Sequence, residues 1–66
     1  MRGSKYFSKP ETAIAFQQEA LQKSGVRMVM LERSMRGGIR AHVQLTDQPD
    51  PASISWLGAN GVRFTK

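Results

Sequence analysis

Three arginines surround one glycine-rich turn near the middle of the chain, and their side chains suit anion binding. Arg33, Arg36 and Arg40 lie in the stretch RSMRGGIR, in which no carboxylate occurs. A guanidinium group offers a planar fork of donors that matches a phosphate, and glycines let the backbone approach one closely. Because a two-stranded ribbon can also enter a DNA groove, we predict a nucleic-acid contact at this turn. The alternative is a solvated turn whose arginines keep it soluble, with Glu32 pairing to one of them.

Four further cations extend this candidate site. Lys5, Lys9, Arg27 and Arg63 are predicted to add phosphate contacts if the fold brings them to the same side. The net charge of +5 favours an anionic partner, because a surplus of lysine and arginine attracts nucleic acid. A general role in solubility is the competing explanation of this charge.

A second group of residues suits docking or stacking. Met28, Met30, His42 and Arg40 share one face of a predicted hairpin, and Trp56 joins them if the following strands continue the sheet. Methionine and tryptophan are enriched in the cores of protein interfaces. Aromatic side chains beside cations also hold the bases of single strands. We favour a protein-docking surface for this group, half covered by a dimer mate or a partner, and keep base stacking as the alternative.

Catalysis and metal binding have little support in the sequence. Glu32 and His42 are predicted to lie opposite each other, and a carboxylate that orients an imidazole is half of an acid–base pair. The chain has one histidine, no cysteine and five scattered carboxylates, so we interpret this as a cross-strand polar pair. The stretch GANG lies between two predicted strands and is a turn, not a phosphate-binding loop. We expect a protein that is not an enzyme and has no metal or cofactor.

The length of the chain, 66 residues, predicts a single small domain spanning 1–66. Such a chain buries a modest share of its surface, and domains of this size are often stabilised by disulfides, metals or association. Because cysteine is absent, we expect the domain to be stabilised by self-association or by binding to a partner protein. We therefore predict a homo-oligomer or a bound partner.

The compartment is predicted to be the cytoplasm. Small secreted domains are often rich in disulfides, and this chain has no cysteine. The start MRGSKYFSKP has no apolar stretch typical of a signal peptide. Apolar runs fall far short of the ~20 residues that span a bilayer, so no membrane contact is expected. MRGS is also a common vector-encoded leader, so residues 1–4 are either native or vector-derived, and they are expected to be flexible. If they are vector-derived, Arg2 is not native and the net charge falls to +4.

A helix is predicted after a short edge strand at Lys5 to Phe7. Ser8 and Glu11 have the spacing of a capping box, and Pro10 fits the first turn. The helix is expected to run from Glu11 to Ser24 and to end at Gly25 in a left-handed conformation. Its predicted apolar face consists of five residues, with Gln17 inside the same arc: Ala13, Ile14, Phe16, Ala20 and Leu21.

The stretch from Val26 to Leu45 is predicted to form a hairpin with one apolar face. A three-residue loop at 36–38 pairs Met35 with Ile39 and Leu31 with Val43, since glycine supplies the positive φ that such loops need. Slipping the register by one residue would mix the faces. The apolar face then collects Val29, Leu31, Met35, Ile39, Ala41, Val43 and Leu45.

The end of the chain is predicted to form a second hairpin. Asn60 and Gly61 form a two-residue turn signal between ISWLGA and VRFTK. The stretch TDQPDPAS before it is interpreted as a turn-rich connector. The resulting fold class is α+β, with one amphipathic helix packed on a small antiparallel sheet in the order β-α-β-β-β-β.

These observations favour a small basic nucleic-acid-binding protein with an accessory or regulatory role, which contacts phosphates through the arginine-bearing turn. The alternative is a protein-interaction module, a regulator or inhibitor, that acts through a sheet edge or the face with Met28, Met30 and Trp56. Convergence of the arginines on one surface would support the first hypothesis. A contiguous apolar patch outside the core would support the second.

Overall fold

The computed structural model describes residues 1–65 and contains four strands and two helices. In chain order these elements are β1 Arg2–Phe7, α1 Pro10–Ala20, β2 Val26–Arg33, β3 Ile39–Leu45, α2 Pro51–Ala59 and β4 Arg63–Thr65. The strands form one antiparallel sheet in the order β2-β3-β1-β4. This β-α-β-β-α-β arrangement is the split β-α-β topology of ferredoxin-like folds. The α+β class is confirmed, whereas the predicted order with a single helix is wrong.

The core lies between the two helices and one face of the sheet. Alternate residues of each strand point to this face, and those of β3, Ala41, Val43 and Leu45, are buried. Helix α1 contributes Phe16, whose ring lies 5.2 Å from that of Phe7. The opposite face of the sheet faces away from this core and both helices.

Helix α1 is shorter than expected and begins differently. Its N-cap is Lys9, with Pro10 in the first turn, so the predicted capping box of Ser8 and Glu11 is wrong. Thr12 donates a hydrogen bond to the Lys9 carbonyl instead, at 2.8 Å. The helix ends at Ala20, and Gly25 is not among the glycines with positive φ in the described part of the chain.

The predicted apolar face of α1 is only partly buried. Ala13, Phe16 and Ala20 are in the core, whereas Ile14 and Leu21 are exposed. Gln17, inside the same arc, donates through Nε2 to the Val29 carbonyl at 2.8 Å. A hydrogen bond from a polar side chain therefore forms part of the contact between α1 and β2.

The hairpin of β2 and β3 forms, but its register is shifted by two residues. Arg33 pairs with Ile39 and Leu31 with Ala41, and Ser34 donates to the Gly38 carbonyl at 3.2 Å. A shift of two residues keeps each side chain on its predicted face, so the sorting of the two faces holds. Met35 is the exception, because it lies fully exposed in the loop.

Helix α2 replaces the first half of the predicted second hairpin. Asp50 is its N-cap and accepts a hydrogen bond from the backbone N–H of Ser53 at 3.1 Å. Pro51 occupies the first turn, where its missing N–H has no helical partner to lose. The Ser53 hydroxyl is buried, donates to Asp50 at 2.7 Å and accepts from the Gly25 N–H at 3.0 Å. This network fastens the start of α2 to the loop before β2.

The Asn60-Gly61 pair ends α2. Gly61 has φ 87° and its N–H donates to the Gly58 carbonyl, while Val62 donates to the Leu57 carbonyl, each at 3.0 Å. These two bonds define a Schellman motif, in which the glycine adopts the left-handed conformation. The predicted hairpin turn is therefore wrong, although the positive φ that the pair indicates is present.

Strand β1 is central, not an edge strand. It begins at Arg2, not Lys5, and pairs with β3 along its whole length and with β4 from Arg2 to Ser4. Residues 2–4, expected to be flexible, are thus hydrogen-bonded on both sides. Gly3 is buried between them, and a Cβ there would lie 2.8 Å from the Arg63 carbonyl.

Acidification is expected to weaken the cap of α2. Hydrogen bonds from the Ser53 and Ser24 side chains, with a further one from the Ser53 backbone, lower the pKa of Asp50 from 3.8 to about 2. Because the folded-state pKa lies below the unfolded value, the carboxylate stabilises the fold above pH 3.8, and this contribution is lost as the pH falls towards 2. Urea unfolding measures the free energy of unfolding at pH 5 and at pH 2.5. Between these two pH values, the free energy of unfolding should fall less for Asp50→Asn than for the wild type. Equal losses in both proteins would contradict this role of Asp50.

Candidate functional site

The face of the sheet that the helices leave uncovered, here called the open face, carries the candidate site. The strand register sets its side chains in three rows, two that cross all four strands and one that crosses β2, β3 and β1. They are Met28, Gln44, Arg2 and Thr65; Met30, His42, Ser4 and Arg63; and Glu32, Arg40 and Tyr6.

The open face is positively charged. Arg2, Arg40 and Arg63 are exposed on it, and Glu32 is its one carboxylate within the described residues. The remaining acids lie in or beside the helices or in the loop after β3: Glu11, Glu19, Asp47 and Asp50. Three arginines against one carboxylate give this face a net positive charge, which attracts anions.

The arginines of the open face are not neutralised by ion pairs. Within residues 1–65, carboxylates come within 4.0 Å of cationic groups in two pairs, Arg27 with Asp47 at 3.9 Å and His42 with Glu32 at 3.7 Å. Both pairs are largely exposed, so they contribute little to stability. The guanidinium groups of the open face therefore remain available to an external anion.

Tyr6 places an aromatic ring beside Arg40. Its hydroxyl donates to the Gly37 carbonyl at 2.8 Å, and its ring lies against Gly38, which has no side chain to displace it. The residue is 41% exposed, so one part of the ring anchors the turn while another part faces solvent. An exposed ring beside a cation is a feature of sites that hold nucleobases.

A shallow depression of about 470 Å³ lies on the open face between β2 and the start of β1. Met28 and Met30 form its apolar wall, and Arg2, Glu32, His42 and Gln44 supply polar groups. We call it the face depression. Apolar walls with a few convergent polar groups are typical of small-ligand sites.

A second hollow, the cationic notch, lies where β4 is too short to cover the end of β1. It has a volume of about 350 Å³ and is lined by Lys5, Arg40 and Arg63 together with Ser4, Tyr6 and Gly61. The Lys5 ammonium donates to the Asn60 carbonyl and lies 4.7 Å from the centre of the Phe7 ring. Arg40 and Arg63 therefore adjoin one hollow whose lining contains no carboxylate, while the Lys5 ammonium is held on the helix side of the sheet.

Glu32 and His42 are neighbours, but not directly opposite as predicted. Met30 faces His42 across the strands and Glu32 faces Arg40, so the contact of 3.7 Å between Glu32 and His42 is diagonal. Their side chains are 71% and 45% exposed. An exposed diagonal pair of this kind has the character of a surface polar contact.

The arginines of the hairpin turn do not share one surface. Arg33 pairs with Ile39 and lies on the helix side of the sheet, Arg36 is in the loop, and Arg40 is on the open face. Lys9 is the N-cap of α1. Arg27 lies beside Asp47 at the opposite end of β2 from the turn. The convergence expected from the sequence is thus absent among these described residues.

Of the residues predicted to form a docking surface, Met28, Met30 and His42 lie together on the open face and Trp56 does not. Met28 and Met30 are 42% and 57% exposed on the open face. Trp56 is in α2 on the other side of the sheet, where its ring stacks on Phe16 at 5.6 Å. It could not join the methionines because the segment that carries it is helical.

Sequence reasoning missed the contribution of β1 and β4 to the open face. Arg2 and Tyr6 were not included in a site, and Arg63 was considered only as a helper. The alternation of RGSKYF, with Gly3 and Phe7 buried and Arg2 and Tyr6 exposed, is the signal that could have found them. It was hidden because the first four residues also match a vector-encoded leader.

Two further observations concern metals and membranes. The described residues contain no group of three or more His, Cys, Asp or Glu side chains placed to hold a metal ion. None of their helices is both long and apolar enough to cross a bilayer.

Comparisons with protein families, curated protein sequences and solved structures found no match to this chain.

Proposed function

We propose that this chain is a small, basic, non-catalytic nucleic-acid-binding protein that contacts phosphate groups through its open face. One observation carries the proposal: Arg2, Arg40 and Arg63 stand on an uncovered sheet face on which Glu32 is the one described carboxylate. Arginine suits phosphate because its donors are planar and always charged. Since a fold does not define a function, the proposal depends on this site alone.

The proposed contact includes part of the arginine-bearing turn. Arg40 belongs to both the turn and the open face, and it adjoins Tyr6. Arg36 and Arg33 lie at the same end of the sheet, so they can add long-range attraction or contact a ligand that extends beyond the face. Lys9 and Arg27 lie off the open face, and we propose them as weaker contributors through long-range attraction alone.

Neutralising the open-face arginines should weaken binding sharply. Three phosphate contacts give a salt slope of about −2 for a single strand, which corresponds to a loss of about 20-fold in affinity between 50 and 200 mM salt. Fluorescence anisotropy with a labelled oligonucleotide measures this loss. The variant Arg2→Ala/Arg40→Ala/Arg63→Ala should bind at least about 20-fold more weakly at low salt and lose most of its salt dependence.

A control variant with the same net charge separates the face from the turn. Lys9→Ala/Arg33→Ala/Arg36→Ala also removes three cations, but none from the open face. It should lose less affinity than the open-face variant. A larger loss in the control would move the contact to the turn, and no binding of any oligonucleotide at low salt would reject the proposed function.

The second candidate function is a protein-interaction module. The observation that favours it is the edge strand β2, which is eight residues long and carries Met28 and Met30 exposed beside its free edge. Exposed strand edges can accept a strand from a partner or from a second copy. Such docking would be insensitive to salt, whereas phosphate binding is not. The cations that share the face favour the nucleic-acid proposal.

A further inference from the structure

We infer that the nucleic acid accepted by the open face is a single strand, with one base held in the face depression and a phosphate over the cationic notch. This inference rests on the proposed function and adds the ligand class and the division of the site. It follows from the shape of the face, the lining of the two hollows and their position relative to each other.

The shape of the open face does not suit a duplex groove. The major groove is about 12 Å wide and admits a helix or a two-stranded ribbon. Four strands spaced about 4.8 Å apart place the outer strands about 14 Å from each other before side chains are added. A duplex could therefore touch this face with its outer phosphates only. The bases of a single strand can lie on such a face directly, because they are not enclosed by a partner strand.

The face depression has the chemistry for one nucleobase. Its apolar wall is formed by Met28 and Met30, and methionine sulfur makes favourable contacts with aromatic rings. Gln44, directly opposite Met28 in the strand register, offers an amide that can donate and accept hydrogen bonds at a base edge. Arg2, the neighbour of Gln44 on β1, is placed for the adjoining phosphate.

The cationic notch has the chemistry for a phosphate. Arg40 and Arg63 flank it, and the Lys5 ammonium, bonded to the Asn60 carbonyl on the helix side of the sheet, adds long-range attraction. The end of β1 at Tyr6 extends past its pairing with β4, which stops at Ser4. An anion in the notch therefore meets the two arginines beside a stretch of β1 that is paired with β3 but not with β4.

The two hollows adjoin each other. Ser4 lines both the face depression and the cationic notch, and it lies between His42 and Arg63 in one row of the sheet. A chain that places a base in the depression consequently has its backbone directed along the arginines. Apolar contact and charge are separated on one surface, so they can be removed independently.

The test uses the full chain and labelled oligonucleotides of about ten nucleotides, a usual site size for single-strand binders. Oligo-dT, oligo-dA, a single-stranded RNA and a duplex of equal length are titrated at several salt concentrations. Single strands should bind at least about 5-fold more tightly than the duplex. Met28→Ala/Met30→Ala should weaken single-strand binding by about 5- to 10-fold with an unchanged salt slope, because the sulfur contacts carry no charge.

Two matched variants complete the design. Met28→Leu/Met30→Leu keeps an apolar wall and should restore most of the affinity. Arg40→Ala/Arg63→Ala should instead reduce the steepness of the salt slope by about 0.7, since the phosphate over the notch is no longer neutralised. Circular dichroism of every variant verifies that it is folded, and the leucine variant keeps the test valid if the alanine variant unfolds.

The outcomes separate this inference from the proposed function. A duplex that binds as tightly as the single strands, or an alanine variant with full affinity, would overturn the inference and leave the proposed function in place. Absence of binding to every oligonucleotide at low salt would reject both. If Met28→Ala/Met30→Ala instead abolishes self-association measured by sedimentation while binding persists, the methionines form a protein contact and the inference is again overturned.

Discussion

Replacing Leu57 by alanine is expected to lower the free energy of unfolding by about 2–5 kcal/mol, the range found when a buried leucine is truncated and its cavity stays partly open. Leu57 is fully buried and belongs to the core cluster that includes residues of α1 and the sheet. A chain of this length has a total stability of roughly 3–10 kcal/mol. The substitution therefore removes a large share of it and lowers the melting temperature by about 10–30 °C.

Leu21→Ala is the matched control, because it makes the same chemical change at an exposed site. Leu21 is 49% exposed at the C-cap of α1, so its truncation should cost about 0.5 kcal/mol or less, as is usual for surface positions. Urea unfolding followed by circular dichroism measures both variants. Equal costs would show that α2 does not pack as described.

The parts of the fold that the sequence predicted well are those with strong periodicity. Alternation in VRMVMLER and IRAHVQL placed Met28 and Met30 opposite the core side of the sheet, and the register error of two residues left that sorting unchanged. Helix α1 was predicted from its apolar spacing and from Pro10. These features depend on neighbours in sequence, which makes them accessible without a structure.

The register itself depends on the turn, and the turn signal was ambiguous. Two adjacent glycines at 37 and 38 permit a three-residue loop at either of two positions. In the structure the loop is 35–37, and the N–H of Gly37 donates to the Ser34 carbonyl at 3.0 Å. Gly37 and the following Gly38 both have positive φ. Tyr6 favours this choice by bonding to the Gly37 carbonyl, and that long-range contact could not be foreseen from the hairpin alone.

Helix α2 was missed because its signals have two meanings. ISWL is a short apolar run that periodicity cannot assign to a strand or a helix. Asn-Gly favours a hairpin, but a glycine with positive φ also ends a helix. The deciding signal was Asp50 followed by Pro51 and then Ser53, an N-cap with proline in the first turn, which was interpreted as a loop.

The candidate site was predicted in part. Arg40, His42, Met28 and Met30 were assigned to one face and lie on it. Its other half comes from β1 and β4, which are far apart in sequence and meet only because β1 inserts between β3 and β4. Convergence of this kind is set by strand order, so local patterns in the sequence could not reveal it.

Gly38→Ala is expected to have the second large effect, because it combines an unfavourable backbone conformation with a steric clash. Gly38 has φ 76°, a conformation that costs a residue with a Cβ roughly 1–2 kcal/mol. The added Cβ would lie 2.5 Å from the Phe7 carbonyl and 2.6 Å from the Tyr6 hydroxyl. Overpacking of this type costs about 1–3 kcal/mol more, so the free energy of unfolding should fall by about 2–5 kcal/mol.

Gly37→Ala separates the two causes, since Gly37 has φ 84° and an added Cβ would meet no atom of the described residues within 4 Å. It should cost only the backbone part, about 1–2 kcal/mol. Urea unfolding of both variants gives the difference that belongs to the clash with β1. Because the clash involves Tyr6, any folded Gly38→Ala protein should also bind an oligonucleotide more weakly than Gly37→Ala. Equal free energies of unfolding for the two variants would mean that the turn does not pack against Tyr6 and Phe7.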